Sequence, residues 1–266
     1  MKDLDMKDTI NFYETLDSKI IPNFGLDDLD EFPIPVENQE HIPLSIKEIG
    51  GIYNSFSENI QKRILESELI KISGYPQLYF SKKSTPEELK VTTILEDRLY
   101  ENAIVPSYIE NYEEYPYERE IHLYQLPEDI PEVVRKIITT QGFIHELGHV
   151  LFDHFYGLDS ELKYNDELKN RKELLEIFED LTENLPAISN YSSVYRDENG
   201  KYKNLGDDKH STGIREEFCE TLAAYKLGFV YSSDKKRQLD PFYDRPKVKE
   251  FIENFLDAEL LVDESE

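Results

Sequence analysis

His145, Glu146 and His149 lie in the stretch QGFIHELGHVLFDHF, residues 141–155, as an H-E-x-x-H motif. On a helix, positions i and i+4 share one face, so both imidazoles can bind one zinc ion. Glu146 follows the first histidine and can reach a water at that metal as general base. Ile144, Leu147, Leu151 and Phe155 recur at helical spacing, which gives the carrier helix a buried apolar side. Two imidazoles are an incomplete site, because a catalytic zinc has three protein ligands and an open fourth position. Phe152 and Phe155 stand where the longer three-histidine motif needs Gly and His, which removes that class. His154 is one residue short of the required spacing. Asp159 would need flanking glycines that are only partly present. A glutamate from a later helix remains, and Glu216-Glu217-Phe218-Cys219-Glu220-Thr221-Leu222-Ala223 fits it. Glu216 and Glu220 share a face, so one can bind metal while the other accepts a hydrogen bond from a ligand histidine and fixes its tautomer. Glu217, about 100° round the helix, is the rival ligand. Cys219, Ala223 and Ala224 are small enough for close packing against the motif helix.

With Ile188-Ser189-Asn190-Tyr191 between them, these two segments resemble the glutamate-zincin peptidases of the anthrax lethal factor type, and the clostridial Pro-Pro endopeptidases. The resemblance covers roughly residues 121–227. It implies a zincin-like α+β fold: a small mixed sheet packed on the active-site helix, and a mainly helical C-terminal subdomain. It implies His145, His149 and Glu216 as zinc ligands, with Glu220 behind them; Glu217, if not a ligand, is expected behind them too. It also implies a tyrosine that polarises the scissile carbonyl. Tyr191 lies 25 residues before Glu216, farther than in the family, which would make residues 194–213 an insertion. His210, six residues before Glu216, is the other candidate for that contact. The ImmA/IrrE-type peptidases are similar in both segments, but theirs lie closer together.

Several elements must position these groups. Helices are expected over 8–18, 45–53, from Ser57 to the Gly74-Tyr75-Pro76 stop, at 171–184, 215–227 and 247–261. The helix from Ser57 carries Ile60, Ile64, Leu65, Leu69 and Ile70 on its apolar face. Strands are expected at 77–80, 103–106 and 118–126, with 109–117 a loop. The strand at 118–126 is the expected edge that pairs with an extended substrate. Pro131 opens the motif helix. Asn199-Gly200 is a hairpin turn, residues 207–213 a loop and 232–244 irregular.

Formal net charge is −26 over 266 residues, which argues against nucleic-acid backbones and anionic membranes as partners. A protein or peptide substrate is expected, with Zn2+ as cofactor. Residues 1–54 are acidic and proline-punctuated, the expected accessory segment; 55–262 form the peptidase domain and 263–266 an acidic tail. No run is long and apolar enough to span a membrane, and the N-terminus is not a secretory signal. One cysteine permits no internal disulfide and fits a reducing compartment. Cytoplasmic location is therefore expected if the sequence is complete, and secretion or host targeting if a signal has been trimmed away. The expected activity is zinc-dependent endopeptidase. The alternative is a non-catalytic zinc module, regulatory or toxin-associated, in which the acidic N-terminal segment blocks the fourth position.

Overall fold

The computed structural model describes residues 32–67, 69–75, 107–110, 119–126, 128, 130–156, 176–203, 209–230, 232 and 235–257. Of residues 70, 107–110, 119, 153–156, 209–212, 235 and 237 only the backbone is described. The expected elements at 8–18, 77–80 and 103–106 lie outside these residues.

Helix and sheet are mixed, as an α+β chain requires. Four strands, β1 (Val36–Glu37), β2 (Leu69–Tyr75), β3 (Ser107–Glu110) and β4 (Arg119–Tyr124), form one sheet in the order β1-β2-β4-β3. β1, β2 and β4 run parallel, and β3 is antiparallel to β4. Parallel neighbours need a crossover; α1 (Ile46–Asn54) and α2 (Glu58–Glu66) supply the one between β1 and β2. α1 begins where the sequence places it: Ser45 and Glu48 form a reciprocal capping box. Ser57 caps α2 and also donates to the Leu256 carbonyl at 3.0 Å, tying α2 to the C-terminal helix. Gly74 is needed for space, because a Cβ there would collide with the Asn38 carbonyl oxygen.

The helix expected from Ser57 to Gly74 is two elements. It stops at Glu66, and Leu69 and Ile70 belong to β2 while Leu65 faces solvent. The run Leu69-Ile70-Lys71-Ile72-Ser73 gains partners on both sides, β1 and β4, and this pairing outweighs helical periodicity. β4 matches the expected strand, but it is not an edge. β2 and β3 occupy its two sides, and all of Ile121–Tyr124 is buried. The β3 edge begins within residues 107–110, so 109 and 110 are strand rather than loop.

α3 (Glu132–Tyr156), the motif helix, follows β4 and starts after Pro131, whose carbonyl accepts the first-turn bond from Arg135. Its Val134, Ile137, Phe143, Ile144, Leu147, Val150 and Leu151 join Ile121 and Leu123 in one core. Ile34, Ile42, Leu44, Ile49, Ile52 and Tyr53 belong to the same core, so residues 32–54 are built into the domain and are no separate layer. Residues 176–182 are helical (α4), with Phe178 buried and Pro186 beyond the end. A short antiparallel bridge, Arg196 to Tyr202, closes the hairpin at Asn199-Gly200, where Gly200 has φ 81°.

α5 (Lys209–Leu227) begins earlier than expected and takes in the supposed loop residues 209–213. Gly213 is there for contact: its added Cβ would lie 3.2 Å from both Tyr195 and Tyr202. α6 (Lys235–Leu239) gives order to part of the stretch expected to be irregular. α7 (Pro246–Asp257) buries Val248, Phe251, Ile252 and Phe255 as its periodicity requires. Among the described residues, no helix is long and apolar enough to cross a membrane.

Candidate metal centre

The centre forms where α3 crosses α5. A methyl on Gly148 would lie 3.0 Å from the Cys219 sulfur and 3.1 Å from its Cα, so the motif glycine and a small residue set the separation of the two helices. That contact puts one helical turn of α5, Glu216 to Glu220, opposite the turn from His145 to His149.

His145 Nε2 and His149 Nε2 face each other at 3.1 Å. Glu216 Oε2 lies 3.2 Å from the first, and Oε1 3.6 Å from the second. Two ligands held about 2.0–2.1 Å from a tetrahedral zinc would be roughly 3.3 Å apart, close to all three separations. Glu216 Oε2 has no well-directed hydrogen bond despite being buried. A buried carboxylate oxygen is costly unless a cation meets it, and the nearest polar group here is the His145 ring at 3.2 Å. His145, Glu146, His149 and Glu216 are all 3–5% exposed.

The remaining ring nitrogens are occupied. His145 Nδ1 lies 2.8 Å from Glu220 Oε1, and His149 Nδ1 lies 3.3 Å from Cys219 Sγ. Burial works against charge on His145, but its bonds to Glu216 and Glu220 outweigh this and hold its pKa well above the ordinary imidazole value. His149 is pushed down by burial to about 3. Burial would raise the Glu216 carboxyl, but the two histidines hold it well below the carboxylate range. The Glu216 carboxylate and the Nε2 atoms of both rings converge on one point.

His145, His149 and Cys219 form a buried group whose donor atoms lie within 4.8 Å of one another, close enough to hold a metal ion. Two donor sets therefore overlap, one with Cys219 and one with Glu216. The second fits better. It uses Nε2 of both rings, and it leaves His145 Nδ1 with the carboxylate partner that a metal-bound imidazole keeps. The thiol touches His149 from the other side of the ring.

Tyr191 is at the site. It precedes a 3-10 turn, Ser192–Tyr195, and its ring stands edge-on to His145 with centroids 5.8 Å apart. Its hydroxyl is 3.4 Å from that of Tyr195, a second tyrosine that motif spacing did not mark. His210 lies in the first turn of α5, six residues before Glu216 and about 120° round the helix from it; its side chain is outside the described residues.

Glu217 does not meet the histidines, either as ligand or as a partner of a ligand. Its carboxylate points elsewhere, about 100° round α5, where it accepts from Ile188 N–H at 3.0 Å and meets Arg196 and Arg245 at 3.4 and 3.5 Å. Neither arginine is visible as a functional residue in the sequence: Arg245 reads there as the start of a helix. Both stand among other charged residues, Arg196 before Asp197 and Glu198 and Arg245 between Asp244 and Lys247, so no local signal marks them.

Comparison with protein-family models, with curated proteins and with solved structures gave no match.

Proposed function

We propose that this protein is a zinc-dependent endopeptidase of the glutamate-zincin kind, with a zincin-like fold and His145, His149 and Glu216 as the metal ligands. One observation carries the reading: two imidazole Nε2 atoms and a buried carboxylate converge, while Glu220 takes the Nδ1 of the first ring. A zinc ion held there supplies Lewis acidity toward a peptide carbonyl and lowers the pKa of water. Glu146 accepts the proton of the attacking water on its carboxylate and returns it to the leaving amine. Tyr191, beside His145, donates its hydroxyl proton toward the oxyanion. His210 is the alternative donor. An extended substrate pairs with β3, since both sides of β4 are occupied.

The burial of the four site side chains favours a second reading, a metal-holding module without turnover. One experiment separates the two: elemental analysis and peptide-library cleavage on wild type and Glu146→Gln. The peptidase reading expects one zinc in each and cleavage by wild type alone. Equal cleavage by the variant, or no zinc in wild type, overturns the mechanism. Zinc in both with cleavage by neither selects the module.

A further inference from the structure

We propose that Glu217 is a positioning residue of this site, fixing from an adjacent face of α5 the segment that sets Tyr191 beside His145. The proposal rests on the peptidase reading for its kinetic part. Glu217 is wholly buried, as are Arg245 at 1% and Arg196 at 6% exposure. Glu217 Oε1 holds the backbone of Ile188, three residues before Tyr191. Arg245 continues the clamp by donating to the Pro186 carbonyl at 2.5 Å. Arg196 closes the other end: it donates to the carbonyls of Glu183 and Gly200 at 3.3 and 2.7 Å, and to the Tyr202 hydroxyl at 2.9 Å. Between the clamps, Ser189 and Ser192 bond each other through side chain and backbone and shape the 3-10 turn.

A buried cluster of two arginines and one glutamate is a poor way to gain stability, since apolar residues of the same volume do as well or better. On this proposal its contribution is fixed geometry. Glu217 directly follows Glu216, so one turn of α5 presents one carboxylate to the histidines and, about 100° round, another to the tyrosine segment. The register of Tyr191 against the metal centre is thereby set by adjacent residues of one helix.

The test compares wild type, Glu217→Gln, Tyr191→Phe and the double variant, by hydrogen exchange, zinc analysis and peptide cleavage. Glu217→Gln is expected to keep one zinc, with affinity within threefold of wild type. Amides 188–196 should exchange at least tenfold faster while those of 143–150 are unchanged. Its kcat should fall tenfold or more at constant KM, and the double variant should be no slower than Tyr191→Phe. Unchanged exchange over 188–196, rate losses that multiply in the double variant, or zinc loss in Glu217→Gln overturns the proposal. If Glu217→Gln fails to fold, Arg245→Lys, which keeps the charge and loses the planar fork, should show the same pattern or refute it. If wild type cleaves nothing, the peptidase reading fails by itself and the exchange result still decides whether Glu217 holds the segment.

Discussion

Gly148→Ala tests whether the helix crossing builds the metal centre. The added methyl would sit 3.0 Å from Cys219 Sγ, 3.1 Å from its Cα and 3.2 Å from its Cβ. All three are tighter than ordinary van der Waals contact, and the Cα cannot rotate away. α3 and α5 must therefore separate by a few tenths of an ångström. Overpacking of this kind costs about 1–3 kcal/mol. Replacing a mid-helix glycine by alanine returns roughly 1 kcal/mol in helix propensity. The net expectation is a destabilisation of about 0–2 kcal/mol, modest because the two effects oppose. The effect on metal should be larger in proportion, because Cys219 lies between Glu216 and Glu220 and carries both carboxylates with it. Zinc affinity is expected to fall about tenfold, equal to ~1.4 kcal/mol. The assay is zinc competition against a chromophoric chelator, together with thermal unfolding of the metal-free protein. Adding Cys219→Ala removes the sulfur contact alone and should recover part of the affinity. If Gly148→Ala raises stability and leaves zinc affinity unchanged, close approach is not what the glycine provides, and the reasoning fails.

Glu220→Gln should weaken zinc binding by about 10- to 100-fold with the ligands untouched, since His145 Nδ1 loses a charged partner at 2.8 Å; equal affinity by competition titration would count against that role. Glu48 is held below its ordinary carboxyl pKa: burial opposes this, but the Lys136 ammonium at 2.7 Å and the Ser45 capping bonds prevail. Its contribution to stability is present above pH 4.5 and lost as pH falls through the folded-state pKa. Urea unfolding of Glu48→Gln should therefore differ from wild type at pH 7 and converge with it in acid. Lys226 has the opposite sign. Burial lowers its pKa to about 8 from 10.5, so the unfolded chain binds more protons between these values and stability rises with pH across that window. Lys226→Met should flatten that rise, though it also loses the Ser55 carbonyl contact and the stacking on Phe56; a wild-type slope retained by the variant would remove Lys226 as its source.

The helix carrying the site could be read from sequence because its signals are local. His145, His149 and the apolar residues between them obey one helical period, and capping chemistry marks Ser45 and Ser57 as helix starts within a residue. Glu216 and Glu220 were legible for the same reason, as a pair four apart beside small residues. Signals that depend on partners distant in the chain were not legible. Leu69 and Ile70 continue the apolar spacing of α2, and only pairing of their strand with β4, Leu69 opposite Arg119, makes them strand. Gly213 reads as part of a loop until Tyr195 and Tyr202 are seen to need the space. β4 was correctly read as a strand, but whether it is an edge depends on Ser107–Glu110, four residues inside a Tyr/Glu-rich stretch.

Glu217 shows the limit most directly. By spacing it is a candidate ligand, one residue from Glu216 and chemically identical. Its direction is decided by its partners Ile188, Arg196 and Arg245, none of which contacts the histidines through it. A rotation of about 100° along the helix separates a residue at the metal from one that holds the chain behind it. Local spacing can therefore select the helix and the pair of carboxylates on one face, while the role of the third carboxylate is set by two arginines that no local pattern connects to it.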